Sequence, residues 1–285
     1  MIYKDLTFQK ERSLYNIKDS KVINCVFEGK EDGESPLKEC ENIFIDNSTF
    51  NLRYPFWHNK NVSVSNSILK DNCRAPIWYC KDFSMFNCES VGVKPVRECN
   101  GVSIIKSNLK CLEFGWKSKD IMLLDSTFEG EYFLFESKNV KMNNCQMKGK
   151  YSFQYMDNLE IDNCVLDTKD AFWHSKNVVV TNSTLKGEYI GWYSKNVSLI
   201  NCTIIGTQPF CYCKKLKLIN CKFIDADYAF EYSDVNAHIV GSIDSIKNPL
   251  KGKIVVDDVK EIILEDYKVV PKAKIIVTNK EKGEN

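Results

Sequence analysis

Apolar and polar residues alternate along many short segments of this chain. Val62-Ser63-Val64 and Leu159-Glu160-Ile161 show this pattern, and a period of two residues is typical of a β-strand with one buried face. The repeating part of the sequence has no stretch of about 10 to 12 residues with the 3.6-residue period that a helix requires. The hydrophobic pattern therefore predicts an all-β protein made of short strands.

The pattern recurs as an internal repeat that is marked by Asn followed by Cys or Ser. From Asn87 to Asn220 the repeats are 19 residues apart, and Lys106 and Asp125 replace the Asn at two positions. Longer steps of 23 and 21 residues occur before Asn87, and we expect one of these insertions within residues 30–38. A fixed period of this length is typical of solenoid proteins. The marked pairs are Asn24-Cys25, Asn47-Ser48, Asn66-Ser67, Asn87-Cys88, Asn144-Cys145, Asn163-Cys164, Asn182-Ser183, Asn201-Cys202 and Asn220-Cys221.

Each repeat is expected to form one coil with about three short strands and three bends. Such a unit cannot bury its apolar face alone, so successive coils must stack about 4.8 Å apart with parallel strand pairing. An Asn amide both donates and accepts hydrogen bonds, and the repeated Asn therefore predicts a ladder of stacked amides at one bend. Because Lys106 and Asp125 occupy adjacent rungs, we expect an ion pair between them.

These features resemble the right-handed parallel β-helices of the pectin-lyase-like superfamily. The residues of a single repeat, such as Phe172-Trp173-His174-Ser175-Lys176-Asn177-Val178, resemble a family of bacterial β-helix proteins of unknown function. The resemblance extends over roughly residues 15–245. It implies a single-stranded right-handed parallel β-helix.

We expect the 285 residues to form one domain. Stacked coils are predicted for residues 21–243, with an N-terminal cap at 1–20 and capping strands within 244–279. Caps are expected because a terminal coil otherwise exposes its core and its strand edges. Residues 280–285 are predicted to be a disordered tail.

Composition narrows the classes of function. The net charge is only +1 and no basic block is present, so a nucleic-acid partner is not expected. No segment has the roughly 18 consecutive apolar residues of a membrane-spanning helix. The first residues lack a secretory signal pattern. We therefore expect a cytoplasmic location, in which the 13 cysteines stay reduced.

One column of the predicted solenoid contains all five tryptophans of the chain. It lies on the third strand of each coil, ten residues after the ladder position (twelve for Trp78, in the coil of 21 residues), and it also contains Arg97 and Gln154. The preceding column is uniformly apolar and should point inward, so the tryptophan column should point outward. An exposed aromatic row is typical of a binding surface. The alternative is structural packing, in which Trp78, Arg97 and Trp116 form a cation–π stack. The candidate ligand-binding residues are Trp57, Trp78, Arg97, Trp116, Trp173 and Trp192.

The next column supplies weak candidates for catalysis. Glu98, Lys117 and Glu136 occupy consecutive coils, which places the two carboxylates about 9.6 Å apart by strand spacing. That separation is at the edge of the range for inverting glycosidases, and Arg97 could stabilise negative charge beside them. The alternative is a salt ladder that avoids stacking like charges.

The sequence thus favours a binding solenoid that contacts a carbohydrate or another extended ligand through the tryptophan column. Two other hypotheses remain open: a polysaccharide-active lyase or hydrolase, and a self-associating or protein-binding scaffold. We find no phosphate-binding loop, dinucleotide fingerprint or nucleophile elbow. Cys211 and Cys213 form a lone Cys-x-Cys without a second pair at metal spacing. Neither a cofactor nor a metal is expected.

Overall fold

The computed structural model describes residues 1–29, 34–265 and 269–281. It divides into two compact units, Met1–Gln146 and Met147–Asn285. In both units, short strands pair in parallel with their equivalents in the next coil, which confirms the predicted parallel β-helix. No helix among the described residues is long and apolar enough to cross a membrane.

The first unit contains β1 to β18, and β19 crosses the boundary between the units along the sequence. The strands are β1 (Ile2–Lys4), β2 (Thr7–Phe8), β3 (Lys18–Ile23), β4 (Val26–Phe27), β5 (Glu41–Asp46), β6 (Thr49–Phe50), β7 (Phe56–Trp57), β8 (Lys60–Ser65), β9 (Ile68–Leu69), β10 (Ile77–Trp78), β11 (Lys81–Phe86), β12 (Glu89–Val93), β13 (Val96–Arg97), β14 (Asn100–Ile105), β15 (Asn108–Leu112), β16 (Lys119–Leu124), β17 (Thr127–Glu131), β18 (Lys138–Asn143) and β19 (Gln146–Lys150).

The second unit continues with strands of similar length and ends with longer ones. The elements are β20 (Asp157–Asp162), β21 (Val165–Lys169), β22 (Lys176–Thr181), β23 (Thr184–Lys186), β24 (Lys195–Ile200), β25 (Thr203–Ile205), β26 (Lys214–Ile224), β27 (Asp234–Lys247), β28 (Lys251–Ile263), β29 (Lys274–Val277) and α1 (Thr278–Glu281).

The third side of the coil differs along the chain. It forms two-residue strands at β7, β10 and β13, which pair in parallel. In later coils the same side is a turn, and residues such as Phe172 and Phe210 have φ of 63° and 58°. Gly191 occupies the equivalent position with φ of 79°, and a Cβ there would lie 2.5 Å from the Phe210 ring. Glycine is therefore required where a bulky ring stacks closely on the backbone.

The uniformly apolar column points inward, as the sequence predicts. In the first unit Phe56 and Val96 are fully buried, and in the second unit Phe153 and Phe172 are buried and stack with ring centroids 5.0 Å apart. Burying one such side chain contributes about 1.5–3 kcal/mol. These stacks fix the third side of each coil and therefore the direction of the residues that follow.

Asparagine ladders hold two bends, and the predicted ladder is confirmed. Asn220 donates to Asn201 at 2.9 Å, and both have φ near 50°, a region that Asn tolerates better than most residues. A second ladder, which the sequence pattern did not predict, lies at the Asn of a repeated Lys-Asn-Val signature such as Lys176-Asn177-Val178. There Asn196 donates to Asn177 at 2.8 Å.

The predicted ion pair between Lys106 and Asp125 is wrong. Lys106 Nζ lies 5.8 Å from the centroid of the Phe86 ring instead, and Asp125 accepts a hydrogen bond from Asn144 at 2.6 Å. A carboxylate oxygen can replace the amide oxygen of the ladder. A lysine cannot do so, and its long side chain extends over the neighbouring ring.

The Cys and Ser positions form two buried columns, and all 13 cysteines are free and buried. The Cys and Ser side chains at these positions are small and buried, and they also form hydrogen bonds. Ser107 Oγ accepts from the backbone N–H of Cys88 at 3.0 Å and donates to the carbonyl of Ile105 at 2.8 Å. The column therefore satisfies backbone groups at the bend.

The segments predicted to be caps carry strands of their own. β1 and β2 pair with β3 and β4, and Asn24 donates to Asp5 at 2.6 Å, so Asp5 occupies a ladder position. Towards the other end, β28 pairs with β27 and β29. Of the predicted tail, 280–281 belong to α1 and 282–285 lie outside the described residues.

Candidate functional site

The tryptophan column of the first unit is a half-buried stack rather than a fully exposed platform. The rings of Trp57 and Trp78 are 6.0 Å apart and nearly parallel. The Arg97 guanidinium lies 5.7 Å from the Trp78 ring and 5.2 Å from the Trp116 ring. The cation–π stack that the sequence offered as an alternative is therefore present.

Several tryptophans are fixed through their indole nitrogen. Trp116 donates to the carbonyl of Tyr132 at 2.7 Å. In the second unit Trp173 donates to Tyr189 at 2.9 Å and Trp192 donates to Gln208 at 2.8 Å. Each acceptor lies 16 residues further along the chain. These indoles therefore brace a bend of the next coil.

The catalytic candidates lie on an exposed surface and form ion pairs with neighbours. Lys117 Nζ is 3.8 Å from Glu136, and the two side chains are 53% and 45% exposed. Glu98 is 3.7 Å from Arg97, which also lies 3.8 Å from Glu113. Lys117 and Glu136 thus form one step of the salt ladder that the sequence offered as an alternative to catalysis, and the pair that Glu98 forms is with Arg97.

The column after the tryptophans carries exposed aromatic residues, among them Tyr155 and Tyr193. In the second unit we call Tyr155, His174, Tyr193, Tyr212 and Tyr232 the aromatic ladder. Successive ring centroids are 5.1, 5.0, 4.8 and 5.6 Å apart. All five residues have positive φ at the bend. The faces of the inner rings cover one another, so their edges and polar atoms face solvent.

Trp192 packs against two rings of the aromatic ladder. Its ring meets Tyr193 at 6.2 Å and Tyr212 at 5.5 Å, in both cases edge to face. Such contacts contribute about 0.5–1.5 kcal/mol beyond burial. The tryptophan and tyrosine columns thus form one layered structure, with the tyrosines outermost.

A pocket of about 610 Å³ borders the end of the aromatic ladder. Tyr193, Tyr212 and Tyr232 form its aromatic side, and Leu250 and Val269 add apolar surface. Its charged lining residues are Lys195, Lys214, Lys215, Lys251 and Asp234.

The sequence pattern did not predict this pocket. The predicted tryptophan column lies beside it, and the rings that line it belong to the next column. The available signal was a run of Lys in the Lys-Asn-Val signature beside a column without acidic residues. Lys176, Lys195 and Lys214 form that run.

A second pocket, of about 470 Å³, lies in the first unit where the asparagine ladder is interrupted. Asn87, Lys106 and Asp125 line it. Its walls are side chains of the ladder bend and carry no aromatic ring. Across the described parts of the chain, no group of three or more His, Cys, Asp or Glu residues could hold a metal ion.

Solved structures that are similar to this chain share little sequence identity with it. A mutant tailspike protein of E. coli bacteriophage HK620, in complex with a pentasaccharide, shares 10% identity at a TM-score of 0.44 and covers 98% of this chain and 67% of its own. The A-module of the Azotobacter vinelandii mannuronan C-5 epimerase AlgE6 shares 10% identity at a TM-score of 0.37, and the match covers 96% of this chain and 87% of that module. The catalytic domain of a GH87 α-1,3-glucanase in complex with tetrasaccharides shares 8% identity at a TM-score of 0.37, and the match covers 97% of this chain and 63% of that domain. Likeness at this level says nothing about ligand or reaction.

Comparison with curated proteins gives no match. A family model described as "Protein of unknown function (DUF3737)" matches residues 1–277, nearly the whole chain. The match includes every coil of both units. The chain therefore belongs to the DUF3737 family.

Proposed function

We propose that the second unit binds an extended carbohydrate along the aromatic ladder, with one end of the ligand in the pocket beside it. The observation that carries the proposal is the pocket itself, in which Tyr193, Tyr212 and Tyr232 meet Leu250 and Val269. Ligand sites are typically concave and mostly apolar, with a few polar groups that fix orientation.

The ladder provides the contacts that a sugar chain requires. Tyr155 and Tyr193 are 50% and 45% exposed, and each phenol both donates and accepts hydrogen bonds. A linear saccharide presents hydroxyl groups at regular intervals, and the ladder presents polar ring edges at spacings near 5 Å. The apolar faces of the sugars would pack against the ring surfaces in the pocket.

The predicted tryptophans have a supporting role in this proposal. Trp173 and Trp192 hold the bends beneath the ladder through their indole nitrogens. Trp57, Trp78, Arg97 and Trp116 form the equivalent layer in the first unit, where their part in ligand binding remains a prediction. The ion pairs of Glu98, Lys117 and Glu136 give no support to a second, enzymatic function.

The test is calorimetric titration of the full chain with a panel of neutral and acidic oligosaccharides. We expect saturable binding that is lost in a Tyr193→Ala/Tyr212→Ala variant. His58→Ala/Tyr79→Ala is the matched control, because these rings stack 4.9 Å apart in the same column of the first unit. Absence of saturable binding across the panel would refute the proposal, as would equal loss in both variants.

A further inference from the structure

Three lysines stack on successive coils beside the aromatic ladder. Lys176 is in register with Lys195, and Lys195 is in register with Lys214. Equivalent residues of paired strands lie about 4.8 Å apart, and like charges directly opposite one another are destabilising. Lys176 is paired with Asp157 at 3.1 Å. Within the described part of the chain, Lys195 and Lys214 form no ion pair within 4.0 Å.

A further lysine, Lys215, joins this group by interrupting the second asparagine ladder. Asn196 donates to Asn177, and the strand register places Lys215 at the next rung. Lys215 has φ of 58°, a backbone conformation that Asn adopts more readily than Lys. The chain therefore places a lysine where an asparagine would continue the ladder and reduce the strain. Such local costs cluster at functional sites.

The surroundings of these lysines contain little negative charge. In the first unit the column beside the signature lysines carries Glu98 and Glu136. In the second unit the same column is the aromatic ladder, whose five residues include no carboxylate. Among the described residues, Asp234 is the one carboxylate that lines the pocket, and it is paired with Lys251 at 3.2 Å. The described lining thus carries four lysines and one carboxylate that is already paired.

We infer that the saccharide bound here is acidic, with carboxylate or sulfate groups that pair with Lys195, Lys214 and Lys215. This inference rests on the proposed function, because it assigns the charge of the ligand at the same pocket. An anionic ligand would relieve the repulsion within the lysine stack. The aromatic rings beside the ammonium groups would select a sugar chain over other polyanions.

Two matched pairs of probes isolate the charge. Oligogalacturonate and its methyl ester share a backbone and differ in free carboxylates, and dextran sulfate and dextran differ in sulfates. We expect the acidic member of at least one pair to bind about tenfold more tightly or better, with affinity that falls as salt rises. The pair with the larger ratio identifies the anionic group. Polyaspartate, which has no sugar ring, should bind more weakly.

Lysine variants show which residues cause the preference for acidic probes. Lys195→Gln/Lys214→Gln/Lys215→Gln should reduce acidic-probe affinity to that of the neutral probe. Lys81→Gln/Lys119→Gln/Lys138→Gln changes the net charge equally at the same signature position of the first unit and should retain the preference.

The outcomes separate the two proposals. Equal affinity for acidic and neutral probes, or equal loss in both triple variants, would overturn the acidic ligand and leave carbohydrate binding intact. Polyaspartate binding as tight as the acidic saccharide would overturn the saccharide assignment. Absence of saturable binding by every probe would overturn both proposals.

Discussion

The backbone N–H of Cys99 donates a hydrogen bond to Ser118 Oγ, 3.0 Å away and one coil further along. Ser118 Oγ in turn donates to the carbonyl of Trp116 at 3.1 Å. A short side chain that both donates and accepts therefore satisfies two backbone groups at this bend. Serine and cysteine can do both and fill most positions of this column, whereas Asn59 and Met156 fill two others.

Ser118→Ala should therefore destabilise the fold by about 1–3 kcal/mol, because it leaves a buried N–H without an acceptor. Ser118→Cys should be tolerated far better, since Cys80 and Cys99 occupy the same column. Urea unfolding followed by circular dichroism would measure both. An alanine variant as stable as the cysteine variant would contradict the bridging role.

Trp192→Phe should lower stability by about 1 kcal/mol, because it removes the hydrogen bond to the carbonyl of Gln208. The control is Trp57→Phe, since the Trp57 Nε1 is buried without a hydrogen-bond partner in the described structure. That substitution should be neutral or stabilising. Thermal melting of the two variants makes the comparison, and equal destabilisation would argue against the bracing role of the indole nitrogen.

Lys106→Asn should stabilise the protein by about 0.5–1.5 kcal/mol by closing the gap in the first ladder. Lys106 has φ of 49°, and an Asn there could bridge Asn87 and Asp125, which flank it on the ladder. The control Lys106→Gln removes the same charge without the fit of Asn to this backbone. If both variants melt at the same temperature, charge rather than ladder closure explains the gain.

The cysteines should resist thiol reagents in the folded protein. Burial raises the pKa of Cys40 to about 11 and the pKa of Cys73 to about 12, and the thiolate is the reactive form. A hydrogen bond with Cys202 lowers the pKa of Cys221 to about 7, and burial protects that thiol by excluding the reagent. Ellman's reagent at pH 8 should therefore modify almost no thiol until denaturant is added, and then all 13. Rapid reaction of several thiols in the native protein would contradict the buried columns.

Asp170→Asn should raise stability at pH 7. Burial raises the pKa of the Asp170 carboxyl in the folded state, so protonation favours folding. That contribution is complete below the unfolded pKa of about 3.9 and is lost as pH rises through the folded value. The gain from Asn should shrink towards pH 4. Asp167→Asn, at an exposed carboxylate paired with Lys186, should give no such gain.

Much of the fold could be predicted because one local pattern repeats. Period-two alternation and the 19-residue spacing together fix which residues share a column, and the uniformly apolar column through Phe56 and Phe172 identifies the inside. Every repeat shows the same alignment of apolar, Asn and Cys or Ser positions. A local ambiguity in one repeat is therefore resolved by its neighbours.

The candidate site could be predicted only in part, because a column gives position without side-chain conformation. The alternation rule turned Trp192 outward, but its indole nitrogen reaches the carbonyl of Gln208 and keeps the ring half-buried. Tyr193 has φ of 58° and is 45% exposed, more than the half-buried tryptophan before it. The Lys106–Asp125 pair failed for the same reason, since adjacent rungs do not determine where a long side chain extends.

The constant coil length also limits how such a chain can gain or lose sequence. Removing residues 176–194 would join Ser175 to Lys195 and leave every later column of the second unit in register. Removing one residue fewer would shift tyrosine, lysine and asparagine columns out of alignment at once. Insertions and deletions are therefore tolerated in whole coils or at bends that can bulge, and the length of the binding face can change by duplication without redesign of any single contact.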